Sequence, residues 1–131
     1  MENEDKRVLV ELQVEKAKRF LGQADEMVEL KHWDLAANRY YYACFHAVQG
    51  LFINKGINAH IHAGINTQFS LNFVKTGIVD VSYGSFLARM FQLRQKADYN
   101  CAYEISGDDI HEIIELAHNF IKTILSIIEY A

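Results

Sequence analysis

The stretch from residue 33 to 54 restricts most severely what this chain can fold into. Read as a helix, it is apolar nearly all the way round, through Leu35, Ala36, Ala37, Tyr40, Tyr41, Tyr42, Ala43, Cys44, Phe45, Ala47, Val48, Leu51, Phe52 and Ile53. Such a helix cannot lie on a surface. It is either central in a bundle or buried in a subunit interface. Gly56 follows it, at the position where a left-handed residue ends a helix.

Four further segments carry helical periodicity and can surround it. Over about residues 5–30, Val10, Ala17, Leu21, Ala24 and Val28 form one stripe, with Val14, Phe20 and Met27 beside it. Lys16, Lys18, Arg19, Asp25 and Glu26 cover much of the remainder. Over about 60–74, Ile61, Ile65, Phe69 and Phe73 recur at spacing four, and Gly77 closes the segment. A fourth helix starts near Ser82 and carries Phe86, Leu87, Met90, Phe91, Leu93 and Ala97. A fifth starts at Ser106, a good N-cap, with Asp108 and Asp109 in its first turn to suit the helix dipole. Its stripe is Ile110, Ile113, Ile114, Ala117, Ile121, Ile124 and Ile128. The best strand candidate, Val79 to Tyr83, is too short to matter. No proline interrupts any of this. The expected fold is all-α, an up-and-down bundle of four or five helices.

The 131 residues make one domain's worth, 1–131 with a core over about 5–129, able to bury about two-thirds of the surface of the unfolded chain. A formal net charge of −4 argues against general nucleic-acid binding and leaves room for a small local nucleotide or RNA site. Met1 to Lys6 is charged, with no apolar run behind it, and no segment approaches the length of a membrane span. Cytoplasm and no membrane association are expected, with Cys44 and Cys101 as buried free thiols.

Several polar constellations invite chemistry. Glu29/His32 and Glu115/His118 have the Glu-x-x-His spacing of di-iron bundles. The first straddles a helix end, the second lies beside the isoleucine stripe, and the second and fourth helices offer no glutamate. These read as solvated surface residues, and neither a metal nor a cofactor is expected. Arg39, Tyr42 and His46 share one face of the second helix, with Asn38 adjacent. Two readings stand: a buried hydrogen-bond network that fixes helix register, or a cleft face in which Arg39 or His46 meets phosphate. His60 and His62 open the third helix, where exposed amides could hold an anion. Arg94 follows Met90 and Leu93 on one side of the fourth helix. It can pair with Asp98 at i, i+4 or point its guanidinium into a cleft, where it would suit phosphate.

Ala-Ala-Asn-Arg-Tyr-Tyr-Tyr-Ala-Cys-Phe-His at 36–46, Gly56, Phe-Val-Lys-Thr-Gly at 73–77 and Leu-Arg-Gln-Lys-Ala-Asp-Tyr at 93–99 occur in this order. In order and spacing the chain resembles a subgroup of the HEPN domain family, small stand-alone bacterial and archaeal proteins, over about residues 10–128. The resemblance implies a helical homodimer, often the partner of a minimal nucleotidyltransferase in a toxin–antitoxin pair. It also implies a metal-independent ribonuclease cleft built from an Arg followed, after four to six residues, by a His. The arginine would hold the scissile phosphate and the histidine would move the 2′-hydroxyl proton. Arg94 stands at the arginine position, but the histidine position is Tyr99, with Asp98 beside it. A phenol with a reference pKa near 10 is a poor general base at neutral pH. Arg39 and His46 have the spacing but lie on the wrong helix.

The expected function is a HEPN homodimer that partners a nucleotidyltransferase in a toxin–antitoxin-type system and contacts nucleotide or RNA, with a degenerate ribonuclease motif. Arg94, Asp98 and Tyr99 are the catalytic candidates; Arg94, Asn38, Arg39, Tyr42 and His46 are the nucleotide or RNA contacts. The alternatives are an active metal-independent endoribonuclease toxin and a non-catalytic helical adaptor.

Overall fold

Two long helices, α1 (Asn3–Glu29) and α2 (Trp33–Lys55), pair along most of their length. The computed structural model describes residues 3–58 and 62–128, with side chains described for 4–58 and 64–128. The pairing follows from matched small residues. Val10, Ala17 and Ala24 recur every seven positions on α1, and Ala36, Ala43 and Gly50 do the same on α2; all six are buried. The backbones approach closely at one end of this seam. A methyl group on Gly50 would meet Gln13 Cβ at 3.4 Å and the Val10 carbonyl oxygen at 3.7 Å. Interaxial distance is set by the side chains at the contact, so alanine and glycine draw the axes together. Gln13 bonding to His46 fits the same antiparallel register, which sets Val10 near Gly50 and carries Ala24 toward Ala36.

The remaining helices complete the all-α bundle, with no strand among the described residues. They are α3 (His62–Phe69), which continues into a π-helical turn (Ser70–Val74), α4 (Val81–Tyr99), α5 (Gly107–His111) and α6 (Ile114–Ile127). α2 touches α1, α4, α5 and α6, as its all-round apolarity requires. Ala36, Ala37, Tyr40, Tyr41, Ala43, Cys44, Ala47, Val48, Leu51 and Phe52 are buried, and Leu35 is the exposed exception. The bundle thus consumes almost all the apolar surface of α2 by itself. Exposed apolar side chains lie elsewhere, at Val8, Leu9 and Leu12 on α1 and at Leu71, Ile78 and Val81 around the α3–α4 connection. An aromatic layer holds the opposite side: Phe120 meets Phe69, Tyr83 and Phe86, and Phe73 stacks on Phe52 at 6.1 Å.

The expected fifth helix is two. Ser106 caps α5 with a reciprocal box: it accepts from the Asp109 amide at 3.2 Å, and Asp109 accepts from the Ser106 amide at 3.0 Å. The helix then tightens at 112–113, where the Ile113 amide bonds to the Ile110 carbonyl three residues back. That tightening keeps both Ile110 and Ile113 fully buried. Gly107 lies against Trp33, whose ring would come within 3.0 Å of any added Cβ. Cys44 is buried as expected, and burial pushes its thiol far above the usual range. Cys101 is exposed instead of buried, because it falls in the turn after α4. No helix of the described residues is long and apolar enough to cross a membrane. The anion site expected at His60 and His62 lies outside the described residues, His62 contributing backbone only.

Helices α1 and α2 end in the same hydrogen-bond pattern with different residues at the left-handed position. After α2, Ile57 bonds to Phe52 O and Gly56 to Ile53 O, with Gly56 at φ 73°. After α1, His32 bonds to Met27 O and Lys31 to Val28 O, and Lys31 sits at φ 60°. A side chain at such a position costs about 1–2 kcal/mol. Gly56→Ala is therefore expected to lower stability by about 1–2 kcal/mol. Lys31→Gly should raise it by up to about 1 kcal/mol, because the added entropy of the unfolded glycine offsets part of the relief. Denaturant melts of the two variants check this.

Candidate functional site

The polar face of α2 is bridged on both sides by its neighbours. Arg94 reaches it from α4. Its side chain is 12% exposed, and Nη2 donates to the Tyr42 hydroxyl at 3.0 Å. Nε stands 3.0 Å from Asp98 Oδ2, an ion pair whose alignment leaves the buried Nε–H without a true hydrogen bond. The guanidinium lies 5.7, 5.4 and 5.6 Å from the ring centroids of Tyr41, Tyr42 and Tyr99. Arg94 is thus both the partner of Asp98 and the floor of a phenolic cage. Burial pushes the Tyr41 hydroxyl well above its ordinary range, with the Arg94 charge pulling the other way. Tyr99 is 72% exposed and forms the outer wall of the cage.

From the α1 side, His46 Nδ1 pairs with Gln13 Oε1 at 2.8 Å. Its ring sets an edge against Phe20 at 5.4 Å and adjoins Tyr42 at 6.4 Å. Arg39 donates to Asn38 Oδ1 at 2.9 Å and lies over Phe20 at 5.0 Å. The expected Arg39–Tyr42–His46 network therefore divides. Each of the three bonds to a different partner, because i, i+3 and i+7 side chains fan out toward α1 and α4 rather than toward one another. Phe20 and Gln13, which complete this face, gave no sign in the sequence beyond their places beside the apolar stripe of α1.

A second cluster was not legible at all. Asp25 Oδ1 accepts from the Tyr40 hydroxyl at 2.5 Å and lies 2.9 Å from His118 Nε2, joining α1, α2 and α6. His118 is partly solvated, with its side chain 41% exposed, but it is not free: its partner is ninety-three residues away. Burial and the Asp25 hydrogen bond raise the Tyr40 hydroxyl far above its ordinary range. Among the described residues no group of three or more His, Cys, Asp or Glu side chains could hold a metal ion.

The chemistry available at Arg94 is phosphate binding. A guanidinium can exchange its Tyr42 and Asp98 contacts for phosphate oxygens. Among the described residues, no imidazole contacts Arg94. His46, one ring away beyond Tyr42, is held neutral: burial first, then the charges of Lys16 and Arg19, lower its pKa to about 4.

The same shift fixes a pH dependence. The folded His46 takes up its proton only near pH 4, whereas the unfolded side chain does so near 6.5, so unfolding binds a proton between those values. The stability it contributes is complete above about 6.5 and is lost as the pH falls toward 4. His46→Ala is expected to lower stability at neutral pH by about 1–3 kcal/mol, since Gln13 loses its partner, and to flatten the decline between pH 6.5 and 4. Urea melts across that range provide the measurement, and an unchanged neutral-pH midpoint would show the face to be solvated.

Comparison with known proteins agrees with this architecture. The HEPN domain model matches residues 10–128. A Thermotoga maritima protein named "UPF0332 protein" is 32% identical over 125 residues, covering 95% of each chain. Two Methanocaldococcus jannaschii proteins, named "Putative toxin MJ0142" and "Putative toxin MJ0605", are 31% and 33% identical over 122 residues. Both alignments cover 93% of this chain, with 82% and 90% of the respective relatives. With nearly the whole bundle matched, from Val10 at the α1–α2 seam to Ile128 after α6, the chain belongs to the HEPN domain family.

Proposed function

We propose that the chain is the HEPN component of a toxin–antitoxin-type pair. It acts as a homodimer that engages a nucleotidyltransferase partner and binds nucleotide or RNA at Arg94, with little or no ribonuclease activity. Family membership and the toxin names of the two archaeal relatives support the toxin–antitoxin setting. The observation that carries the reading of weak catalysis is the composition of the Arg94 cage. A phosphate-binding guanidinium is present, and what surrounds it is three phenols and a carboxylate. Phenols as a class are poor general bases at neutral pH, and the one carboxylate is engaged by Arg94 itself at 3.0 Å. The homodimer rests on the family resemblance and on the apolar side chains left exposed on α1 and around the α3–α4 connection.

Two measurements test this. Tyr99 is exposed, so Tyr99→His is not expected to disturb the fold. The purified wild type should cut RNA slowly or not at all. Tyr99→His should raise the rate, by up to about a hundred- to ten-thousand-fold if a complete general base is restored. Arg94→Ala in the same background should abolish cleavage. Efficient cleavage by the wild type that survives Arg94→Ala would move the site elsewhere on the molecule, with His46, His60 and His62 next to be replaced. Sedimentation at micromolar concentration should give twice the 15.1 kDa chain mass, and a clean monomer would remove the dimer from the reading.

A further inference from the structure

Three cations gather on one ring beside the Arg94 cage. Lys16 Nζ, the Arg19 guanidinium and the Arg39 guanidinium lie 5.7, 5.8 and 5.0 Å from the Phe20 centroid. Lys16 and Arg19 are exposed on α1, and Arg39 is half-buried on α2. No carboxylate forms an ion pair with any of the three among the described residues. Like charges so placed repel one another. The ring face and the Asn38 oxygen hold them there. The charges of Lys16 and Arg19 are felt next door, where after burial they help to keep His46 unprotonated.

The cluster is continuous with the Arg94 site. Phe20 meets His46 at 5.4 Å, His46 adjoins Tyr42 at 6.4 Å, and Tyr42 accepts from Arg94. A track of fixed cations therefore runs from α1 across α2 to α4. On a chain of net charge −4 it is a local exception to the overall sign. A cation cluster followed by a further guanidinium across the helices suits an anion that repeats, as the backbone of single-stranded RNA does. We propose that Lys16, Arg19 and Arg39 form a phosphate-binding track that extends the Arg94 site along a bound RNA strand. This rests on the RNA-binding reading of Arg94 given above. Glu15 shares the exposed face of α1 with Lys16 and Arg19 and opposes such binding.

The test is fluorescence anisotropy with a fluorescein-labelled single-stranded RNA of mixed sequence, titrated with the full chain over a series of KCl concentrations. Each phosphate contact contributes about 0.7 to the slope of log affinity against log salt on a single strand. Lys16→Gln/Arg19→Gln should flatten the slope by about 1.4, and Arg39→Gln by about a further 0.7. Lys16→Arg/Arg19→Lys should keep the wild-type slope, and Glu15→Gln should tighten binding at low salt. Thermal melts followed by circular dichroism should be unchanged for the exposed Lys16 and Arg19 variants. Arg94→Ala is measured in parallel. If it weakens binding while Lys16→Gln/Arg19→Gln leaves the slope untouched, the track is overturned and the Arg94 reading survives. If the double variant flattens the slope while Arg94→Ala changes nothing, the track stands and the Arg94 reading falls. An unaltered slope in every basic variant, or no RNA binding by the wild type at low salt, overturns the track and leaves the cluster to be examined as a surface for an acidic protein.

Discussion

The approach of α1 to α2 along their alanine–glycine seam is the constraint on which the rest depends. Bringing two helix backbones together without large side chains between them leaves little apolar area per residue in the seam itself. Its yield is geometric: a rigid antiparallel pair with a fixed register. Once Val10 lies near Gly50, Gln13 must face His46, and Phe20 must face both His46 and Arg39. A bulky residue at Ala17 or Ala43 would push the axes apart and open those contacts together. The large aromatic and branched residues of α2 are then free to meet α4 and α6.

The fold was legible because its signals are local and repeated. The apolar circumference of 33–54, Gly56 as a left-handed stop, Gly77 as a closing residue and Ser106 as an N-cap each act within a few residues, and each holds in three dimensions. Where the reading failed, the deciding partner was distant. Asp25, Tyr40 and His118 come from three helices, and no spacing announces their meeting. The break at 112–113 was invisible because Ile110, Ile113 and Ile114 satisfy an unbroken helix and a tightened one equally well. Lys31 occupies a left-handed position without glycine because three residues suffice to join α1 to α2 only if the chain turns there. Of the site, the Arg94–Asp98 pairing was readable from its i, i+4 spacing. Tyr99 beside Arg94 was readable too, whereas Tyr41 reads equally well as core and Tyr42 was grouped with Arg39 and His46 rather than with Arg94.

Arg94 illustrates how one side chain can serve packing while keeping the chemistry for recognition. Its contacts with Tyr42, Asp98 and three rings fill a largely buried position. Its Nε–H lacks a well-aligned acceptor, an imperfection a phosphate oxygen could correct. An anion bound there as proposed would compete with Asp98 for the same charge, and that competition would weaken binding without removing the site. The arrangement suits reversible association better than tight capture.

The two cysteines carry a practical consequence. Cys44 is sealed in the core and its thiol is held protonated, so it is inert to alkylating reagents in the folded protein. Cys101 is exposed, two positions beyond Tyr99 at the rim of the Arg94 cage. The native chain therefore offers a single attachment point for a maleimide dye or spin label beside the site, with no engineered residue. A fluorophore there would report whether a strand settles against Arg94 as proposed, and labels on two copies would report whether the proposed dimer forms.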